Sequence, residues 1–176
     1  MFAYKNRRRG ERWPSWPCVS AIWRSSGALA LALVAGGAIP SSEAIAKTPG
    51  KTYCFLGVCH RVKSLAETQA LIGKTETMQA SFYDDAKVDR FNPSNITSSG
   101  EYFQASRPDN AASPVLPDGT KVMVWSPTTK RAAILRINNA GPYWGQRKID
   151  LSRGAADKLG FSRSGVATVQ VRPARR

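Results

Sequence analysis

Short β-prone segments separated by turn-rich loops fill the chain from Met78 onward, and this pattern limits its possible folds more than any other feature. The segments are Met78–Tyr83, Lys121–Trp125, Ala132–Asn138, Arg147–Leu151 and Ala167–Val171. Glycine, proline, asparagine and aspartate are concentrated in the loops between them, notably at residues 90–99, 106–120 and 138–145. Many short strands without long alternating helices predict an all-β fold, either a small barrel or a sandwich.

Two short helices are predicted in addition to the strands. Ser64 and Glu67 have the spacing of a capping box, which predicts a helix that ends near Gly73. Ser152 is a candidate N-cap for a second helix, and Gly160 is suited to end that helix in a left-handed conformation.

The first 46 residues have the three-part organisation of a secretory signal peptide. A basic segment precedes Gly27–Ile39, a run of thirteen uncharged and mostly apolar residues, and a small-x-small site ends at Ala46. As a helix this run rises only about 20 Å, which is short of the roughly 30 Å hydrocarbon core of a bilayer. We therefore predict cleavage near Ala46, a periplasmic or secreted mature chain, and no stable membrane span after cleavage. Cys18 precedes the apolar run and no cysteine directly follows it, so no lipid anchor is predicted.

The charge balance narrows the class of partner. The chain has 26 Lys and Arg against 12 Asp and Glu, a net charge of +14, and residues 47–176 keep a net charge of +10. A positive surface favours nucleic acid, acidic lipid surfaces or an anionic cell-wall polymer. Export argues against nucleic acid, and the sequence has neither a basic helix nor an aromatic-basic stacking pattern. No nucleic-acid partner and no cofactor are predicted, and nothing specifies a protein partner.

Residues 47–77 are predicted to form a small extension before the β-rich region. Cys54 and Cys59 flank a four-residue loop that contains Gly57, and in an oxidising compartment they are expected to form a local disulfide. Free thiols and a metal site with the adjacent His60 are the alternatives. A structural zinc site needs four ligands, and the sequence offers no second Cys/His pair. No metal site is predicted.

Six motifs in series give the β-rich region a specific resemblance. They are Gln79-Ala-Ser-Phe-Tyr83, Thr97-Ser-Ser-Gly-Glu101, Leu116-Pro-Asp-Gly-Thr120 with the strand after it, Arg136-Ile-Asn-Asn-Ala-Gly-Pro-Tyr143, Arg147-Lys-Ile-Asp-Leu-Ser152 and Ala155-Ala-Asp-Lys-Leu-Gly160. In their order and spacing, residues 78–172 resemble the rare lipoprotein A (RlpA) family of lytic transglycosylases, which leaves 173–176 as a basic tail. The resemblance implies a six-stranded double-psi β-barrel with an open groove for peptidoglycan glycan strands.

The resemblance also implies a reaction, but two catalytic positions differ from the family pattern. A lytic transglycosylase cleaves between N-acetylmuramic acid and N-acetylglucosamine without water, and it needs a carboxylic acid to protonate the leaving oxygen. The family supplies an Asp assisted by a His, where this chain has Asn139 and Ser113. A carboxamide has no acidic proton to give, so these replacements predict weak or absent cleavage with glycan binding retained.

Two matched carboxylates are candidates to replace the missing acid. Glu101 and Asp150 could flank the same groove, although a solvated loop carboxylate and a hydrogen bond near the start of the second helix are the alternative roles. Asp150 alternates with Ile149 and Leu151, so its side chain is expected to face away from their apolar side. Substrate contacts are expected from Thr97, Ser99, Arg136, Asn138, Tyr143 and Trp144.

Three functions follow as hypotheses. The first is an envelope protein that binds peptidoglycan, and the second is an active transglycosylase with Glu101 or Asp150 as its acid. The third is a structural or adaptor barrel of the envelope that binds a protein partner.

Overall fold

The computed structural model describes residues 46–175 except Leu56, Phe91, Pro93 and Gln146. The predicted signal peptide up to residue 45, including Cys18, lies outside the described residues. In the described part, no helix is both long enough and apolar enough to cross a bilayer.

A closed barrel of six strands forms the centre of the structure, which confirms the predicted fold class. The order of strands around the barrel is β3-β7-β4-β6-β5-β8. A separate two-stranded hairpin, β1-β2, precedes it. The elements are β1 Thr52–Phe55, β2 Val58–Arg61, α1 Leu65–Gln69, β3 Glu76–Tyr83, β4 Asn110–Ala112, β5 Lys121–Ser126, β6 Arg131–Asn139, β7 Ile149–Ser152, α2 Arg153–Leu159 and β8 Val166–Pro173.

Two of the six strand pairs are parallel, β3 with β7 and β4 with β6. The other four pairs are antiparallel. Parallel neighbours cannot be joined by a tight hairpin, so long connections must pass over the barrel. The connection between β3 and β4, residues 84–109, joins strands that lie on either side of β7, and part of it lines a groove.

The barrel interior is filled by alternate residues of the strands. Ile149 and Leu151 of β7 are almost fully buried among the core residues, whereas Asp150 between them lies outside the core cluster. This confirms that Asp150 faces away from the apolar side. A second, smaller apolar cluster on the outer face contains Tyr83, Phe103, Ala105 and Ala112.

Both predicted helices are present with the predicted N-caps, but α1 ends at Gln69 with Ala70 as its C-cap rather than near Gly73. The Ser64 hydroxyl accepts from the Glu67 N–H at 3.1 Å, and the Glu67 carboxylate accepts from the Ser64 N–H at 2.6 Å. Ser152 caps α2 by accepting from the Ala155 N–H, and Gly160 ends that helix with a φ of 80°. α2 then packs against β6, β7 and β3, so it supports the strands that carry the groove.

Three strands differ from the expectation. β4 lies inside a segment expected to be loop, and the hairpin strands β1 and β2 were not predicted. β4 has only three residues, Asn110–Ala112, and pairs with β6 and β7 on either side. Such a strand is specified by its two neighbours rather than by an alternating pattern of its own.

Candidate active-site groove

A row of paired positions across four neighbouring strands forms the floor of the groove. Ser81 of β3 pairs with Asp150 of β7, Asp150 pairs with Ala112 of β4, and Ala112 pairs with Asn139 of β6. The side chain at position 112 is only a methyl group, so the two polar positions on either side of it have space to face the same volume. The barrel register therefore places a carboxyl group and a carboxamide side by side.

The groove above this row has a volume of about 330 Å³. Its floor includes Tyr83, Ala112, Asn139 and Asp150, with Lys47 beneath. Residues of the hairpin and of the loop after β6 form one wall, in which the Phe55 and Tyr143 rings are adjacent. The residues of this wall are Tyr53, Cys54, Phe55, Ala140, Gly141, Pro142, Tyr143 and Trp144. The β3–β4 connection also lines the groove, through Asp89, Asn92, Ser94 and Ile96.

Asp150 is the carboxyl group of this floor that is best suited to hold a proton. Burial raises its pKa to about 6, while a hydrogen bond from Ser81 and the positive charge of Arg147 oppose the shift. The Ser81 hydroxyl donates to Oδ1 of Asp150 and accepts from Nη1 of Arg147 at 2.7 Å. Because Oδ1 already accepts this hydrogen bond, Oδ2 is left to carry the proton of the neutral acid.

Asn139 occupies a position built to accept hydrogen bonds. Its Oδ1 accepts from the backbone N–H groups of Ser98 at 3.0 Å and Ala140 at 2.9 Å. Two N–H donors would lower the pKa of an Asp in the same place. Asn139 keeps the acceptor oxygen, and its carboxamide has no proton to transfer to a leaving group.

Tyr83 lies on the floor of the groove and was not among the expected substrate contacts. Its ring stacks on Phe103 with centroids 4.3 Å apart, and its hydroxyl is buried without a hydrogen-bond partner among the described residues. Burial raises the pKa of this hydroxyl, and the nearby Asn139 side chain only partly opposes that shift. The phenol is therefore neutral at any pH near neutrality, and its hydroxyl is buried beside Asn139 below the surface of the groove.

Glu101 lies in a different environment from Asp150. Arg136 donates to both of its carboxylate oxygens, from Nη1 at 2.6 Å and from Nη2 at 2.5 Å, and Asn138 donates at 3.1 Å. The guanidinium group of Arg136 holds the pKa of Glu101 at about 2. Glu101 is therefore an anion at any pH near neutrality and has no proton to donate.

The other expected site residues divide between the groove and the loops that support it. Tyr143 and Trp144 line the groove, whereas Thr97, Ser99, Arg136 and Asn138 do not. Thr97 is buried and shares a hydrogen bond of 3.0 Å with the Ser99 hydroxyl, so these two residues stabilise the loop that carries Glu101.

Ser113 also lies outside the groove lining, with only 1% of its surface exposed. Its hydroxyl donates to the Lys148 carbonyl at 3.2 Å and accepts from the Leu116 N–H at 3.3 Å. These contacts give Ser113 a structural role in the turn that follows β4.

Lys47 anchors the N-terminal extension beneath the groove. Its Nζ donates to the carbonyl oxygens of Ser113, Leu116 and Asn139 at 2.7 to 2.9 Å and lies 3.1 Å from the Asp118 carboxylate. Burial lowers the pKa of Lys47 to about 8, and Asp118 opposes that shift. The ammonium form therefore dominates at neutral pH and donates hydrogen bonds to carbonyl groups of the loop after β4 and of the end of β6.

The hairpin is closed by a disulfide between Cys54 and Cys59. With both sulfurs in this bond, neither cysteine is present as a free thiol. No group of three or more metal-ligating side chains occurs among the residues that the structure describes.

Replacing Glu101 by Gln tests whether Glu101 or Asp150 is the candidate proton donor. If the chain cleaves glycans as the sequence resemblance implies, Glu101→Gln should change cleavage less than about threefold, because an anion held by Arg136 cannot supply the proton. Its cost is limited to the free energy of unfolding, about 1 kcal/mol for a partly exposed ion pair. Release of soluble fragments from purified peptidoglycan measures the first effect, and urea unfolding measures the second. A loss of cleavage above a hundredfold with unchanged unfolding would assign the proton to Glu101 instead.

Comparison with known proteins identifies relatives of the barrel. The lytic transglycolase family model matches residues 75–171. Endolytic peptidoglycan transglycosylase RlpA of Yersinia pestis is 32% identical over 127 residues, which cover 72% of this chain and 32% of that protein. RlpA of Neisseria meningitidis serogroup A is 37% identical over 97 residues, covering 55% of this chain and 38% of that protein. The chain thus spans about a third of the length of these relatives. Among solved structures, a Streptomyces papain inhibitor has a TM-score of 0.47 and 23% identity, covering 59% of this chain and 97% of the inhibitor.

Proposed function

This chain belongs to the RlpA-like family of double-psi β-barrel proteins, and on that premise we propose that it cleaves peptidoglycan glycan strands with Asp150 as the proton donor. The proposal places the protein in the bacterial cell envelope, after the predicted removal of residues 1–46. The observation that carries it is the mostly buried carboxyl group of Asp150, which lies on the groove floor with a pKa of about 6. A general acid works best when its pKa is close to the working pH.

The proposed reaction needs one carboxyl group and no water. Asp150 gives its proton to the glycosidic oxygen, the bond from that oxygen to C1 of the muramyl ring breaks, and its electron pair stays on the leaving oxygen. The C6 hydroxyl then attacks the oxocarbenium-like C1 and forms the anhydro ring. The Asp150 carboxylate takes the proton from that hydroxyl, so the acid is regenerated.

Ser81 and Arg147 help Asp150 both to donate its proton and to take one back. Burial alone would favour the neutral acid, whereas the Ser81 hydroxyl and the positive charge of Arg147 stabilise the carboxylate that forms after proton transfer. The Arg147–Ser81–Asp150 chain also fixes the orientation of the carboxyl group. The resulting pKa is higher than that of a solvated carboxyl group and lower than that of a buried carboxyl group without these two partners. One group can therefore donate a proton and then accept one.

Polar and aromatic groups around Asp150 are proposed to hold the sugar rings. The Asn139 carboxamide lies on the floor beside Tyr83, and Tyr143 and Trp144 contribute aromatic surface from the wall. A groove with aromatic sides and a few fixed polar groups is typical of a small-ligand site. The net positive charge of the chain adds an attraction for the anionic wall polymer.

Tyr83→Phe should separate stability from function. Removing a buried hydroxyl that has no protein partner is expected to leave the free energy of unfolding unchanged or to raise it by about 1 kcal/mol. The same change should leave cleavage within about threefold, because the buried hydroxyl does not reach the surface of the groove. Urea unfolding and fragment release from purified peptidoglycan measure the two effects. A loss of cleavage of tenfold or more with unchanged unfolding would show instead that this hydroxyl contacts the bound glycan.

Incubation of residues 47–176 with purified peptidoglycan sacculi tests the proposal. We expect soluble fragments whose mass shows anhydro-muramyl ends. Fragments with reducing ends would show hydrolysis instead of the proposed ring closure. Sedimentation of the protein with the sacculi without fragments would leave only glycan binding, and a protein that neither sediments nor cleaves would support the adaptor hypothesis.

A further inference from the structure

The disulfide-closed hairpin has one face that carries four large side chains. Tyr53 pairs with His60 and Phe55 pairs with Val58 across β1 and β2. Cross-strand partners and alternate residues of a strand share a face, so all four side chains project to the same side. This face lies outside residues 75–171, the part that matches the family model.

Part of this face packs against the groove wall and part of it stays open. The centroid of the Phe55 ring lies 5.4 Å from that of the Tyr143 ring, and the centroid of the His60 ring lies 5.8 Å from it. Both rings are tilted by 41° relative to the Tyr143 ring. Phe55 nevertheless remains 41% exposed and lines the groove, as does Trp144, which is 47% exposed. Phe55 thus extends the aromatic surface of the Tyr143 loop beyond the barrel.

The hairpin is held in a defined position relative to the barrel. Lys47 anchors the chain before it, and Val62 directly after it is fully buried. The Lys63 N–H donates to the Val115 carbonyl at 2.9 Å, and the Tyr53 hydroxyl accepts from the Thr48 N–H at 2.8 Å. An exposed ring on a fixed support loses little conformational entropy on binding a ligand.

We propose that Phe55, together with Tyr143, forms a sugar-binding subsite that the N-terminal extension adds to the barrel groove. Its occupant is a pyranose ring of the same glycan strand that reaches Asp150, so the inference rests on the proposed function. A pyranose with equatorial substituents presents an apolar C–H face to an aromatic ring while its hydroxyl and acetamido groups stay at the edge. Continuity with the polar floor at Asn139 and Asp150 favours a glycan over an apolar peptide at this subsite.

Equilibrium binding of peptide-free glycan strands tests the subsite. The strands are prepared by removing stem peptides from purified peptidoglycan with an amidase, and all variants carry Asp150→Asn to prevent turnover. Phe55→Ala should raise the Kd about tenfold, because the stacking surface is lost. Phe55→Trp should stay within about twofold of the parent. Ile134→Ala removes an exposed apolar side chain of β6 outside the groove and should leave the Kd unchanged.

The outcomes separate the subsite from the proposed function. If the parent protein does not bind the strands, the proposed function fails and the subsite fails with it. If the parent binds and Phe55→Ala binds equally well, only the subsite is overturned. A thermal midpoint of Phe55→Ala equal to that of the parent confirms that a weakened Kd reflects lost contact. A lowered thermal midpoint of Phe55→Ala, together with weak glycan binding by Phe55→Trp, would overturn the stacking role.

Discussion

Asp150→Asn is expected to reduce glycan cleavage by about 10²- to 10⁴-fold while leaving glycan binding within about threefold of wild type. That range is the usual contribution of general acid catalysis. The substitution keeps Oδ1 as an acceptor for the Ser81 hydroxyl and removes only the transferable proton. Fragment release from sacculi and sedimentation with them measure the two quantities. Asp157→Asn, the same change at an exposed position of α2, is the matched control and should have wild-type activity.

The same substitution should change how stability depends on pH. Burial raises the pKa of Asp150 to about 6 from an ordinary value of 3.8, so the folded protein holds this proton more tightly than the unfolded chain. The stability this group contributes is fully present below pH 4 and is lost as the pH rises through 6. A shift of this size corresponds to roughly 3 kcal/mol. Asp150→Asn does not ionise, so it should gain stability relative to wild type between pH 4 and pH 7, as measured by urea unfolding.

A pH-independent difference between the two proteins would contradict this account of Asp150. It would show that the carboxyl group titrates alike in the folded and unfolded chains. Loss of cleavage in the Asp157→Asn control would show that the assay responds to general damage rather than to the missing acid.

Lys47→Met is expected to lower the free energy of unfolding by about 3 to 5 kcal/mol. Methionine has a similar length but no donor, so it leaves the Asp118 carboxylate and three backbone carbonyl groups without their ammonium partner. Removing one member of a buried ion pair typically costs this much. The thermal midpoint should fall by about 10 °C or more. Chemical and thermal unfolding measure both values.

Lys51→Met makes the same change at an exposed position four residues later and is the control for Lys47→Met. Combining Lys47→Met with Asp118→Asn should cost less than the sum of the two single changes, because both remove the same ion pair. If the free energy of unfolding of Lys47→Met is within 1 kcal/mol of that of the Lys51→Met control, the buried ammonium group does not anchor the extension.

Much of the fold could be predicted from the sequence because local signals agreed with the final structure. Alternation along β3, β5, β6, β7 and β8 and the capping residues of both helices are properties of neighbouring residues. β4 could not be predicted in this way, because Asn110–Ala112 is a strand only through its pairing with β6 and β7. The closed order of strands came from the resemblance, since periodicity alone leaves a barrel and a sandwich equally possible.

The candidate site was only partly predictable. Asp150, Asn139, Tyr143 and Trp144 were expected at the groove and line it, but the sequence could not choose between Glu101 and Asp150. The choice depends on long-range partners, since Arg136 keeps Glu101 ionised while burial raises the pKa of Asp150 to about 6.

Other contributions to the groove also depend on contacts between residues distant in the chain. Ser81 is 69 residues from Asp150, and Lys47 is 92 residues from Asn139. The aromatic face of the hairpin was not predicted as part of the site for the same reason. A local sequence pattern carries no information about such distant pairs.

The pH dependence of glycan cleavage by residues 47–176 tests the central claim most directly. The rate of release of anhydro-muramyl fragments from sacculi is measured between pH 4.5 and pH 8, with binding measured at each pH as a control. An Asp150 acid predicts a rate that falls to half near pH 6 and continues to fall about tenfold per pH unit, while binding changes much less. A cleavage rate that stays constant up to pH 8, or no cleavage at any pH despite binding, would contradict the assignment of Asp150 as the catalytic acid.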